Sequence, residues 1–308
     1  MHDPDRTASF MTPAQLAQFK STAPASPAAW LDQMAADAGH AHVRRLAEVR
    51  KVLQAQAQRH DFTALAAVLA QLGQALARLD FTGLLARGWW ARVTGKARSA
   101  GARFAGEIER IDQAAVAVTA QAQALHKLQQ EHHTATELAL LDFEVEYRAV
   151  EQVINQGARW LQDMRAQLKT RQAQAADDQS RQQIKDDVSR CEILVERLKV
   201  LRAVTAAAQH SHQQAQEAAT RRKVLLQVLQ QDLAVEVKAW RAAFAGLAAA
   251  AADDDSAVLN LEGPQRNHRE LQLRLKQAGA DCAQLQLLEG TLADSLVALG
   301  GHLESVVS

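Results

Sequence analysis

The chain has 308 residues, with 35 Lys and Arg against 35 Asp and Glu, and 48% of it is hydrophobic. Zero formal charge argues against a dedicated nucleic-acid binder, which carries a basic excess to displace counterions. Two cysteines, Cys191 and Cys282, without CxxC spacing give neither a disulfide framework nor a structural zinc site. Alanine supplies much of the apolar share and buries little area, at roughly 25 cal/mol per Å², so long helices packed along narrow seams fit better than one broad core.

The N-terminus, MHDPDRTASF, lacks a charged-then-apolar leader pattern. Residues 1–25 read as a mobile arm with one short helix. Thr12-Pro13 and Ser26-Pro27 each pair a capping residue with a proline at the first helical position. Helices are expected at 27–38, 41–60 and 63–79, broken at Gly39 and Asp61, so that 26–80 forms a small helical N-terminal region.

Residues 81–106 hold five glycines and read as a short helix followed by a flexible elbow. Within it, Leu84 to Arg103 carries Arg87, Arg92, Lys96, Arg98 and Arg103 and no acid, beside an apolar side that includes Trp89 and Trp90. In a chain only 4% aromatic, a tryptophan pair needs a reason. The segment fits two roles: docking onto the bundle or a partner, and lying in a membrane interface with Trp at headgroup depth. Docking is the reading adopted, because most apolar stripes on soluble helices face a core.

Beyond the elbow the only glycine from Glu107 to Ala245 is Gly157, and no proline occurs between Pro27 and Pro264. A helix-interior proline costs about 3 kcal/mol and a glycine about 1, so this is a run of long helices. Ile108, Ile111, Ala115, Val118, Ala122 and Leu125 alternate spacings of three and four. Ile184, Val188, Cys191, Val195 and Leu198 do likewise, as do Leu226, Leu229, Leu233, Val237, Trp240, Phe244 and Leu247 with one extra step of four. Such stripes pair into coiled-coil-like bundles. Polar clusters at 132–136, 174–180, 210–214 and 253–256 are read as separators, giving helices at 107–131, 137–173, 180–209, 214–250 and 265–299. The fold class expected is all-α: an elongated bundle of long antiparallel coiled-coil-like helices, with 107–255 as the bundle core and 256–308 as a C-terminal helix. No segment approaches the roughly 20 apolar residues of a membrane span, so a cytoplasmic chain is expected.

Reaction chemistry has little to stand on. His40/His42 and His210/His212 are each two apart, which on a helix do not face each other, and no ligand triad accompanies His132-His133. These histidines read as solvated turn residues, and Glu107/Glu109 and Glu144/Glu146 as solvated helix faces. Val93-Thr94-Gly95-Lys96 lacks the upstream glycine of a phosphate loop, and no Gly-x-Ser-x-Gly elbow occurs. No catalytic residue, cofactor or metal is expected, and the chain is read as a non-enzyme.

Trp89-Trp90-Ala91-Arg92-Val93-Thr94-Gly95-Lys96, followed by a long helix with Ile108 and Ile111-Asp112, resembles a segment of the toxic anion resistance family, the TelA/KlaA-like proteins linked with tellurite resistance. Glu196-Arg197-Leu198 and Leu201-Arg202 look like that family's leucine-arginine run. Leu225-Leu226, Leu229, Leu233, Val237 and Trp240-Arg241 are similar to its aliphatic ladder ending in Trp-basic. The resemblance spans roughly 80–245 and departs where Lys238 and HSHQQAQ replace the family's prolines. It implies a divergent member acting in tellurite-type stress response through protein–protein interaction, with no established catalytic residues. The candidate docking residues are Trp89, Trp90, Arg87, Arg92, Lys96, Trp240 and Arg241. Expected partners are other proteins of a stress-resistance system and no nucleic acid. A membrane surface, with the chain peripheral to the inner membrane, and a homo-oligomer are left open.

Overall fold

The computed structural model describes residues 38–82, 96–252 and 260–307. Among them the fold is an all-α helical bundle without a strand: α1 (His40–Arg59), α2 (Thr63–Arg78), α3 (Lys96–Gln174), α4 (Asp178–Gln227), a π-helical turn (Val228–Asp232), α5 (Leu233–Ala252) and α6 (Glu262–Val307). The chain forms two compact units. Among the described residues, the first takes Glu144–Gln209 with 38–48 and 299–307; the second takes those within Val49–Phe143 and His210–Ala298.

The helix ends follow local chemistry. Gly39 has φ 72°, a left-handed conformation that glycine adopts without steric cost, and its carbonyl accepts from Val43 N at 2.9 Å to open α1. Between α1 and α2 the Asp61 carboxylate accepts from Thr63 N at 2.8 Å. A hydrogen bond from the Thr63 side chain, and then this one from its backbone N–H, hold the Asp61 pKa below the ordinary range. The break before α4 is capped by Asp177, which accepts from Ser180 N at 2.6 Å and from the Ser180 hydroxyl at 3.0 Å. Asn260 takes Glu262 N at 3.1 Å at the start of α6, with Pro264 in the first turn, where its missing N–H costs nothing.

Two expected separators are helix instead. HHTAT at 132–136 lies inside α3, and HSHQQ at 210–214 lies inside α4. Neither holds a glycine or proline. The Thr136 hydroxyl satisfies itself by donating to the His132 carbonyl at 2.9 Å. Ser211 and His212 are 1% and 4% exposed, and His212 stacks on Phe143 at 6.2 Å. The reading of His212 as a solvated turn residue is corrected: these polar residues face inward, so they mark a buried layer and not a loop. α3 also starts at Lys96 rather than near 107, and α6 continues through Gly300 and Gly301 to Val307. Of the expected helix at 27–38 all but Ala38, which is a turn residue, lies outside the described residues, as does the 253–256 separator.

In the first unit Tyr147, Val150, Ile154, Leu161, Met164 and Leu168 of α3 are buried, as are Ile184, Cys191, Leu194, Leu198, Leu201 and Val204 of α4. The seam of α4 therefore runs through Leu194, while Val188, 40% exposed, lies off it. Gly157 is explained here. A Cβ at that position would sit 3.0 Å from both Leu198 methyls, so the absent side chain lets α3 and α4 approach. Glu146 is buried too, correcting its reading as a solvated face. It accepts from His42 Nδ1 at 2.7 Å and Arg45 Nη1 at 3.4 Å. Arg197 donates to the Val306 carbonyl at 2.5 Å, placing a cation on the last turn of α6, where the helix dipole is negative.

The second unit holds the stripes expected from spacing. Ile111, Ala115, Val118 and Ala122 are buried, as are Leu226, Leu229, Leu233, Val237, Trp240, Phe244 and Leu247. They pack with Leu65, Leu69, Leu72 and Leu76 of α2 and with Leu271, Leu275, Ala278, Cys282 and Leu285 of α6. The extra step of four coincides with the π-helical turn. Two successive steps of four carry an α-helical stripe about 80° around its axis, and one wide turn takes up that drift.

Candidate functional site

The second unit contains a buried polar layer assembled from three distant segments. Arg222 of α4 donates through Nε, at 3.1 Å, and through Nη2 to Glu289 Oε1 of α6. Both side chains are almost fully enclosed, at 8% and 2% exposed. Gln56, near the end of α1, and His60, just beyond it, complete the layer at 8% exposure each. Arg222, Glu289, Gln56 and His60 line one small space of about 20 Å³, closed by Leu53, Leu140 and Leu292 among others. A single water needs about 10–15 Å³. Among the described residues, three atoms around that space, His60 Nδ1, Gln56 Oε1 and Glu289 Oε2, find no hydrogen-bond partner. The geometry therefore suits one donor molecule of water size.

Burial sets the electrostatics. It lowers the His60 pKa to about 4, helped by the positive charge of Arg222 and by His132, against a backbone hydrogen bond from the imidazole to Gln56. It raises the Glu289 carboxyl above the ordinary range, against the pull of the Arg222 guanidinium. His60 is thus held neutral beside a charged pair, which costs less than placing a third charge in an enclosed space.

An open groove of about 410 Å³ adjoins the layer and shares His60, Thr136, Leu140, Ala219 and Arg222 with it. Its rim adds His132, His133 and Glu137 from α3 and Gln216, Thr220 and Lys223 from α4. His133 Nε2 lies 3.2 Å from Glu137 Oε1. Among the described residues no three His, Cys, Asp or Glu side chains stand close enough to hold a metal ion. The two cysteines are buried and form no disulfide, and burial pushes the Cys282 thiol up to about 11, far from a reactive thiolate.

A second cluster surrounds Trp240. Its ring stacks on Phe244 at 4.4 Å, and its indole N–H donates to His268 Nδ1 at 3.4 Å. Phe81 stands edge-on to Phe104, Phe244 and His268 at 6.0, 5.9 and 5.3 Å. A hydrogen bond to the Leu76 backbone fixes the other side of His268, and burial lowers its pKa. Trp240, only 1% exposed, is therefore a packing residue and offers no docking surface. Arg241 does reach the surface, where it pairs with Asp112 of α3. Lys96 is the first residue of α3. Arg87, Trp89, Trp90 and Arg92 lie outside the described residues.

Sequence reasoning missed His60, Arg222 and Glu289. No short spacing links them, since they come together only through tertiary packing across 67 positions for the ion pair alone. Among the described residues no helix is long and apolar enough to cross a membrane. No family model matches the chain, and neither a curated protein nor a solved structure matches it.

Proposed function

We propose that this chain is a non-enzymatic helical interaction or scaffold protein serving toxic-anion, tellurite-type stress resistance. One observation carries the interaction part. The long helices keep large aliphatic side chains on faces their own cores leave unused. Leu138 and Leu141 of α3 are 55% and 57% exposed, in the second unit. Ile193 and Val200 of α4, two turns apart in the first unit, are 58% and 38% exposed. Single exposed aliphatics are ordinary, but pairs repeating at helical spacing are what a partner helix reads. The resistance part is supported by the resemblance over residues 80–245.

The test is growth under tellurite of a host whose own copy is deleted, complemented by the wild-type chain, by Leu138→Glu with Leu141→Glu, or by Ile193→Glu with Val200→Glu. Both double variants should keep far-UV helicity, because the altered positions are exposed. At least one should lose tolerance. Equal tolerance in deleted and complemented hosts refutes the resistance part, and full tolerance with both variants refutes the faces.

A further inference from the structure

Helix α6 carries two seams. The inner one, Leu271, Leu275, Ala278, Cys282, Leu285, Leu292 and Leu296, is buried within its own unit. The outer face holds Leu273 and Leu287, both 70% exposed, and Val297, 55% exposed. These belong to two interleaved series at seven-residue spacing. Leu273, Ala280, Leu287 and Asp294 form one, and Lys276, Ala283, Gly290 and Val297, each three residues later, form the other; every member is exposed. Two such series have the spacing of the a and d positions of a coiled-coil seam, with six of the eight residues apolar or glycine and Lys276 and Asp294 the charged exceptions. All eight positions lie in the second unit.

Reversing this seam against itself gives a consistent pairing. About a midpoint at residue 285, Leu273 meets Val297 of a second copy, and Lys276 meets Asp294. Ala280 meets Gly290, and Ala283 meets Leu287. Nothing lies within 4 Å of where a Gly290 side chain would be, so the two Ala280–Gly290 steps let the backbones come close, between Leu287 nearest the midpoint and Leu273 at the ends of the seam. Among the described residues neither Lys276 nor Asp294 makes a salt bridge within the chain. The two-fold operation forms their contact twice, as an isologous interface requires. A parallel pairing would instead set Lys276 on Lys276 and Asp294 on Asp294, a like-charge arrangement that costs stability.

We propose that the outer face of α6, from Leu273 to Val297, is a homodimer interface whose occupant is the same helix of a second copy, antiparallel and centred on residue 285. The full chain at micromolar concentration is measured by light scattering after gel filtration, and should weigh twice 33.6 kDa. Leu273→Glu with Leu287→Glu should bring the mass down to one chain at unchanged far-UV helicity. Lys276→Glu alone should also give monomer, and adding Asp294→Lys should restore the dimer. Ala280→Cys with Gly290→Cys should give a covalent dimer on oxidation. Within one helix these positions lie about 15 Å apart, beyond the ~7 Å limit between Cα atoms of a disulfide. A wild-type monomer, or a dimer that survives the Leu273/Leu287 substitutions, overturns the proposal. Failure of the charge swap to restore the dimer overturns the antiparallel register.

Discussion

Changing His60→Gln removes the imidazole that stands beside the Arg222–Glu289 pair while keeping a side-chain donor for the Gln56 backbone carbonyl. The folded-state pKa of about 4 against 6.5 for the free side chain means that the unfolded chain takes up a proton first as pH falls. The stability that neutral His60 carries is complete above pH 6.5 and is lost progressively between about 6.5 and 4. One pKa unit corresponds to about 1.4 kcal/mol, so the full loss is of the order of 3 kcal/mol. The groups facing the imidazole are Arg222, His132, Glu289 and Gln56. His268, also lowered by burial, adds a loss of the same sign. Glu289, raised by burial, acts oppositely in the window above its unfolded pKa. Subtracting the variant from the wild type cancels both. Urea unfolding of the two proteins at pH 7.5 and pH 4.5 should show the stability difference moving by roughly 2–3 kcal/mol in favour of the variant at the lower pH. A difference that stays constant across that range refutes the placement of His60 as a buried neutral group.

Two further outcomes rest on the same unit. Glu289→Gln leaves Arg222 buried without its counter-charge and should cost about 3–5 kcal/mol by chemical denaturation, whereas Arg222→Met with Glu289→Leu should recover most of that loss. Trp240→Ala should cost about 3–5 kcal/mol, while its neighbour Arg241→Ala, removing only a surface pair with Asp112, should change stability by less than about 1 kcal/mol. Equal effects at 240 and 241 would contradict the inward placement of the indole.

What could be read along the chain was what local rules govern. Gly39 and Asp61 bound α1 and α2, the Asp177 cap separates α3 from α4, and the apolar stripe from Leu226 to Leu247 turns out buried throughout. These features depend on residues within a turn or two of each other. The errors have one cause. A polar run need not face outward: Ser211 and His212 are inside, and HHTAT continues a helix because nothing in it breaks one. The same assumption hid the buried layer. Arg222 and Glu289 resemble any solvated helix charges until packing across 67 positions brings them together. Likewise Gly157 stood out as the lone glycine of its region, but only the contact with Leu198 gives the reason.

The unit built around Glu144–Gln209 also draws on the chain up to Glu48 and from Leu299, and this orders events during synthesis. Ribosomes deliver about 5–20 residues each second, so His42 waits several seconds before its partner Glu146 leaves the exit tunnel. Arg197 waits again for the carbonyl of Val306. A translation pause placed late in the message therefore holds that unit open while much of the other is already available to fold. Changes within 38–48 or 299–307 therefore strike the first unit rather than a separable piece.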